Sequence, residues 1–247
     1  MRRVAILGGT RGMGRALARR FVERGDWVAL LGRDADELAR SKSDLEARGT
    51  PGVRVAIGLC DLEDTNGFRP ALEGVEQALE GLDTVVVTAA VFATQEKLEQ
   101  DPVLAHKMLT VDFANTIVFC EEARKKLLLR GSGTLCVFSS VAGDRARKPV
   151  VLYGAAKAGL SAYLEGLDHR YRSQGLTTVC VKPGFVKTAM TEGLPTPPFA
   201  GEPDDVSQIV IEAIDAGTPV VYAPAIWRAV MTAIKAMPRF VMRRAKF

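Results

Sequence analysis

Seven short runs of β-branched and other apolar residues alternate along this chain with longer stretches of helical periodicity. The runs lie at 4–7, 27–31, 53–59, 84–87, 134–139, 177–181 and 220–222. The helical stretches lie at 13–24, 35–48, 64–80 (Pro70 near its start), 102–129 (one long helix or two), 153–173 and 203–216. Parallel strands need a crossover between them, and a helix usually supplies it. The alternation therefore predicts a doubly wound α/β sheet of about seven parallel strands with helices on both faces. No internal repeat or linker interrupts it. The expected organisation is one domain over 1–223 and a helical extension of it over 224–247. A stretch with four prolines, 194–203, reads as a loop or lid.

Composition narrows the function class. Hydrophobic residues make up 47% and charged residues 25%, which excludes disordered and collagen-like chains. No apolar run approaches the ~18 residues of a spanning helix, so an integral membrane protein is not expected. The apolar start at Val4 stops at Gly8-Gly9, short of a secretory core of about 7–15 residues, and reads as a first strand. Cys60, Cys120, Cys136 and Cys180 show no CxxC spacing, and only His106 and His169 accompany them. No metal site of the usual Cys/His kind is expected. Reduced thiols and a cytoplasmic location are the default. The net charge of +4 conceals an asymmetry. After Asp215 there is no acidic residue, while Arg228, Lys235, Arg239, Arg243, Arg244 and Lys246 follow. The remainder, with 27 basic and 29 acidic residues, is near neutral. That is not the pattern of a nucleic-acid-binding domain.

The first strand–helix junction reads Gly8-Gly9-Thr10-Arg11-Gly12-Met13-Gly14. Glycines there permit a tight turn and close approach to a pyrophosphate, and the following helix offers unpaired N–H groups to the anion. The spacing differs from GxGxxG; taken alone it also suits a plain turn needing positive φ. The second strand ends in Gly32-Arg33 where an NAD-specific fold places a carboxylate. Arg33 and Arg11 together suit a 2′-phosphate, which favours NADP(H) over NAD(H). Asp61-Leu62 after the third strand can meet an adenine amine or simply cap a helix.

Tyr153 and Lys157 are four apart on a helix and share one face. An ammonium beside a phenol favours the phenolate, lowering the tyrosine pKa toward the range of an acid–base catalyst. Ser140 precedes them at the C-terminal end of the fifth strand, where open α/β sheets bind ligands.

These residues carry a resemblance. From about Val4 to Tyr222 the chain is similar to the short-chain dehydrogenases/reductases, a family with a Rossmann-type sheet. Gly8, Gly12 and Gly14 match the family's TGxxxGxG turn, with Leu7 in place of its threonine. Ser140, Tyr153 and Lys157 match its Ser…YxxxK set, and Pro183-Gly184 with Thr188 its PGxxxT segment. Arg11 and Arg33 resemble NADP-preferring members. The resemblance implies a homo-oligomer, dimer or tetramer, that reduces a carbonyl of a small-molecule substrate, or oxidises the alcohol, without a metal. It implies cofactor contacts from Thr10, Met13, Ala89, Ala90, Val186, Tyr153 and Lys157 as well. Two departures stand out. The family's NNAG segment is Thr88-Ala89-Ala90-Val91 here. The helical asparagine of its catalytic tetrad aligns with Asp112, which when ionised only accepts hydrogen bonds. Asp112 holds Lys157 charged, or perturbs the proton relay, or is partly compensated by Asn115.

Phe92, residues 142–148 and residues 185–199 are the expected substrate pocket. The basic segment Asp144-Arg145-Ala146-Arg147-Lys148 reads as a solvated loop, with a phosphate or carboxylate on the substrate as the alternative. In the tail, Trp227, Val230, Met231, Ile234, Met237 and Val241 share a helical face opposite Arg228, Lys235, Arg239, Arg243 and Lys246. Pro238 splits it into two helices. Packing on the body or on a partner subunit is the expectation; peripheral contact with an anionic membrane is the alternative. Residues 142–163 and the tail also resemble, more weakly, the decaprenyl-phosphoryl keto-pentose reductases. Carrier-bound 3-oxoacyl groups and lipid-linked keto-sugars are therefore further substrate candidates. A nucleotide-binding regulator without activity is the alternative of another class.

Overall fold

The computed structural model describes residues 1–245; Lys246, assigned above to the basic face of the tail, lies outside them. All seven expected strands form: β1 Arg3–Leu7, β2 Trp27–Gly32, β3 Val55–Leu59, β4 Thr84–Val87, β5 Gly133–Phe138, β6 Leu176–Pro183 and β7 Val220–Ala223. They pair in parallel in the order β3-β2-β1-β4-β5-β6-β7. The chain reverses direction across the sheet between β1 and β4, and such a switch point leaves a crevice at the strand C-termini.

Alternate side chains of each strand serve two cores. Ala5 and Leu7 of β1 join a cluster with α3 (Phe68–Ala78), α6 (Thr116–Leu129) and α7 (Val151–Tyr171), whose contributions include Leu72, Phe119 and Leu164. Val4 and Ile6 face α1 (Gly12–Glu23), α2 (Ala35–Arg48) and α8 (Pro203–Ala216) through Leu17, Phe21, Leu38 and Val210. These helices carry apolar residues at helical spacing, so each buries one stripe and leaves its charges in water.

Three details depart from the sequence-based expectation. The third strand starts at Val55, because Gly52 sits at φ +91° in a turn that Val53 closes by donating to Thr50. A short helix, α4 (Gln95–Gln100), was not expected. The stretch from Pro102 to Leu129 is long and apolar enough to cross a bilayer by length and composition, contrary to the reading above. It is not one regular helix. α5 (Pro102–Leu109) and α6 flank a π-helical turn at Thr110–Asn115. Phe119, Cys120, Ala123 and Leu127 lie in the core under the sheet.

The tail forms α9 (Ile226–Ala236) and α10 (Arg239–Arg244), broken at Pro238. Trp227, Met231 and Ile234 are buried against Val141, with Phe185, Tyr222, Val230 and Met237 packed around them. The apolar face of α9 is thus spent on the body, as the periodicity suggested. Val241 departs from that face and stays exposed.

Candidate active site

The glycine turn takes its shape from steric necessity. Gly8 and Gly12 adopt φ +90° and +51°, a region that disfavours side chains. Gly14 has no room for a side chain, since a Cβ there would lie 2.3 Å from the Gly8 carbonyl oxygen and 2.5 Å from Thr88 Oγ1. Thr88 Oγ1 sits 3.1 Å from the carbonyl oxygens of both Leu7 and Gly8, donating to them and fastening the turn to the end of β4. The obstacle at Gly14 is backbone and cannot swing aside. Gly14→Ala is therefore expected to destabilise the chain by about 1–3 kcal/mol, the usual range for overpacking. Urea unfolding would show it as a lower midpoint at unchanged slope; an unshifted midpoint would mean the turn yields.

A cavity of about 570 Å³ opens beside this turn, at the switch point. Gly8, Thr10, Arg11, Gly12, Met13 and Gly14 line one side of it. Arg33, Asp61 and Leu62 line the ends of β2 and β3; Ala89, Ala90 and Thr188 line the other end. Thr188 closes on the turn, since a Cβ on Gly12 would stand 3.3 Å from Thr188 Cγ2. Pro183, Gly184 and Val186 are not part of the lining. Pro183 ends β6, Val186 is buried in the core, and Gly184 lies against the Trp227 indole. Asp61 accepts from the Glu63 N–H at 3.0 Å within a turn. The helical-turn cap there is Asp64, which accepts from Asn66.

Sequence reasoning missed Glu37. It lines the same cavity and sits 3.4 Å from Arg11 Nη2 and 2.7 Å from Arg40 Nη2. Arg40 and Arg11 hold its carboxyl below the usual glutamate range. Nothing in the sequence marks a third-position helix glutamate as part of a cleft. Arg33 Nη1 lies 3.4 Å from Glu63. Both cavity arginines are thus extended into solvent and loosely held by carboxylates.

Ser140, Tyr153, Lys157 and Asp112 gather at the end of β5. Ser139 Oγ lies within hydrogen-bond distance of the Lys157 carbonyl, 2.9 Å, and of Ser161 Oγ, 2.7 Å; these contacts clamp α7 to β5. Gln95 Oε1 accepts from the N–H groups of Val151 and Leu152, at 3.0 and 3.2 Å, and fixes the start of α7. That gives α4 a role the sequence did not announce. Ser140 Oγ accepts from the Ala142 N–H at 3.0 Å. Phe92 meets the Tyr153 ring edge-on, with centroids 5.2 Å apart.

Lys157 is buried. Its Nζ donates to the Phe138 carbonyl at 3.3 Å, lies 3.7 Å from Asp112 Oδ2 and 5.5 Å from the centre of the Tyr153 ring. Asp112 sits in the π-helical turn, which turns its side chain inward. Its Oδ1 accepts from the Val91 N–H at 2.6 Å, while Oδ2 is buried without a hydrogen bond. Burial raises its carboxyl above the usual aspartate range, with Lys157 and the Val91 N–H opposing. Asn115 does not compensate for Asp112. Its amide donates to the Leu62 carbonyl at 2.6 Å and is committed to the loop after β3.

The Tyr153 pKa departs from expectation. Burial raises it; Lys157 and Ser140 pull it down, Asp112 pushes it further up, and the balance is upward. Burial and the extra carboxylate outweigh the single ammonium.

The basic loop is tied down more than expected, although Lys148 stays exposed. Arg145 donates to the Met237 carbonyl at 2.9 Å and Lys148 to the Arg243 carbonyl at 2.6 Å. Asp144 accepts from Lys182 and from the Tyr222 hydroxyl. On the other rim, Trp227 Nε1 donates to the Phe199 carbonyl at 3.1 Å. The tail therefore pins both loops that flank Ser140.

A seven-stranded doubly wound sheet with a glycine turn at its switch point, and Ser, Tyr and Lys together at the C-terminal end of β5, defines the α/β class of nicotinamide-dependent oxidoreductases. Residues 2–197 match the short-chain dehydrogenase family profile, and the chain belongs to that family. It is 32% identical over 241 residues to an uncharacterized oxidoreductase of Mycobacterium tuberculosis, covering 98% of this chain and 96% of that one. It is 26% identical to carbonyl reductase family member 4 of Xenopus tropicalis, over 84% of this chain and 88% of the other. A short-chain dehydrogenase from Burkholderia cenocepacia, solved in complex with NADP, superposes with a TM-score of 0.79 at 25% identity, over 90% of this chain and 95% of that one. The chain is thus an oxidoreductase acting on CH–OH or C=O groups with a nicotinamide dinucleotide.

Proposed function

We propose that the chain reduces a carbonyl to an alcohol with NADPH, using Tyr153 as the acid. The observation that carries this is the placement of Tyr153 one turn before the buried Lys157, beside Ser140, at the same sheet end as the glycine-turn cavity. The glycine cradle, which side chains would fill, fits a dinucleotide pyrophosphate. Gly8, Thr10, Gly12, Met13 and Gly14 would hold it, with Thr188 closing on the turn from the far side. Asp61 and Leu62 would meet the adenine, and Ala89 and Ala90 the adjoining ribose. A bound reduced nicotinamide supplies the hydride.

The remaining work falls to side chains. Lys157 binds ribose hydroxyls and steadies charge at the Tyr153 oxygen. Ser140 and Tyr153 hydrogen-bond the substrate carbonyl, and Tyr153 gives up its proton as the alkoxide forms. The upward balance on Tyr153 keeps the phenol protonated near neutral pH, which suits an acid in the direction of reduction. The NADP preference rests on Arg11 and Arg33 at the cavity wall, and the NADP-bound relative agrees with it.

Asp112 separates this reading from that of a silent regulator. Its carboxylate raises Tyr153, so Asp112→Asn removes a negative charge and lowers the phenol pKa. In alcohol oxidation Tyr153 must be a phenolate, and activity climbs as pH passes its pKa. The ascending limb of the pH–kcat/KM profile for oxidation should shift to lower pH, with roughly 3- to 10-fold faster oxidation at pH 7. An unmoved limb would remove Asp112 from the relay. The same exchange bears on stability. Asp112 keeps its proton longer folded than unfolded, so it costs stability as pH rises from about 4 through its folded value, and asparagine removes that cost.

A further inference from the structure

The loop between Ser140 and α7 carries one carboxylate, Asp144, at the end of a turn that begins with Ser140. Ser140 is extended, and a single 3-10 turn, Val141–Gly143, follows it. The Gly143 N–H donates to the Ser140 carbonyl at 3.1 Å, and the Asp144 N–H to the Val141 carbonyl at 3.2 Å. The Ala142 N–H donates to Ser140 Oγ. These internal hydrogen bonds make residues 140–144 one piece, so whatever fixes Asp144 also fixes Ser140. One face of the piece lies flush on α7. A Cβ on Gly143 would stand 2.7 Å from the Ala158 backbone nitrogen and from the Lys157 carbonyl carbon, and one on Gly154 2.9 Å from the Ala142 carbonyl oxygen. This seat is backbone against backbone, close but without a hydrogen bond of its own among the described residues.

The other side is held by charge. The Asp144 side chain is only 3% exposed, and both of its oxygens are engaged. Lys182 Nζ donates to Oδ1 at 2.5 Å and the Tyr222 hydroxyl to Oδ2 at 2.6 Å. Lys182 and Tyr222 are register partners on β6 and β7, so both project from the same face of the sheet. Burial and the Asp144 carboxylate raise the Tyr222 phenol, which therefore stays protonated and keeps donating at neutral pH. Charge-assisted hydrogen bonds of this kind are short and directional, whereas the contact with α7 is not. The sheet edge is thus the reference that sets the register of the turn.

We propose that Asp144 is a positioning residue of the reduction: by gripping Lys182 and Tyr222 it sets where the Ser140 turn sits on α7, and so where the Ser140 hydroxyl meets the substrate carbonyl oxygen beside Tyr153. This rests on the carbonyl-reductase reading for the reaction it serves, but not for the clamp itself. A hydrogen bond to a developing oxyanion depends steeply on placement, and a shift of ~1 Å can cost about 10²-fold in rate. Asp144 acts through Ser140 and touches neither substrate nor cofactor in this role.

Tyr222→Phe removes one grip and leaves the Asp144–Lys182 pair intact, so the fold is kept. Asp144→Asn weakens both grips. The substrate is whichever of 2,3-butanedione, 9,10-phenanthrenequinone and ethyl acetoacetate the native chain reduces fastest with NADPH. Tyr222→Phe should lower kcat by ~5-fold or more, the scale of one hydrogen bond to a charged group, with KM for NADPH unchanged. Asp144→Asn should lower it further. The deciding readout is a double-mutant cycle with Ser140→Ala, which itself costs about 10²-fold as the loss of an oxyanion donor. In the Ser140→Ala background Tyr222→Phe should cost less than ~2-fold, because the group it positions is gone. The same factor in both backgrounds, or no loss in the native one, overturns the proposal, since a merely structural residue acts independently of Ser140. Hydrogen exchange gives a readout without turnover. The Ala142, Gly143 and Asp144 amides should exchange ~10-fold faster in Tyr222→Phe, with those of β5 and α7 unchanged. If the native chain reduces no carbonyl, this measurement decides. Faster exchange confined to the turn upholds the clamp and fails the reductase reading; unchanged exchange, or acceleration throughout the chain, overturns the clamp.

Discussion

Tyr153→Phe is expected to lower kcat for carbonyl reduction by about 10³-fold, with the fold and NADPH binding kept. The phenol is the acid of the cluster. Ser140, whose oxygen accepts from the Ala142 N–H, still has its hydroxyl proton to donate in a hydrogen bond, but an alkyl hydroxyl is far too weak an acid to give that proton up. General acid catalysis of this kind is worth roughly 10²–10⁴-fold. The loss should sit near the upper part of that span, because the site offers no histidine or second phenol as a substitute. Phenylalanine keeps the edge-on contact with Phe92, so melting temperature and NADPH fluorescence titrations should barely move. The variant is cleaner than any change at Lys157, whose removal would strand the buried Asp112 carboxyl and cost stability as well as rate. Turnover within tenfold of the native chain would mean that another group protonates the product.

Arg11→Ala/Arg33→Ala is expected to reduce the NADPH-over-NADH ratio of kcat/KM by roughly 100-fold, enough to reverse it, through loss of charge-assisted hydrogen bonds to the 2′-phosphate. Neither arginine is fixed in place. Arg11 leans on Glu37 and Arg33 on Glu63, both at 3.4 Å. Glu37 competes for Arg11 with an incoming phosphate. Glu37→Gln should therefore move the ratio in the opposite direction, and a double-mutant cycle should show that this gain needs Arg11. Kinetics with both cofactors measure it. A ratio indifferent to both arginines would assign the preference elsewhere.

The strands were legible because they are short, β-branched and punctuated by glycine and proline; their order in the sheet, with β1 beside β4, was not read from the sequence. The π-helical turn was not legible. Nothing in Thr110–Asn115 distinguishes a widened turn from a regular one, yet that turn carries Asp112 to Lys157. The Ser140, Tyr153 and Lys157 set could be read because its spacing is fixed by one strand end and one helix face. Glu37, Gln95 and Thr88 could not, because each acts through a partner distant in sequence, such as Arg11 or the start of α7. The loop at 144–148 was misread for the same cause. Arg145 and Lys148 look like free cations until the tail, some 90 residues further on, supplies their acceptors.

Trp227 has a consequence for how such a chain diversifies. Its indole covers Gly184 and ties down Phe199, while α9 packs on Val141. The rims of the reacting end are thus assembled from the second half of the chain, and the dinucleotide cradle mainly from the first 91 residues. If the two ends divide the labour as proposed, a recombination upstream of β5 would exchange the cradle and leave these rims in place, whereas drift in α9 (Ile226–Ala236) would reshape the rims first.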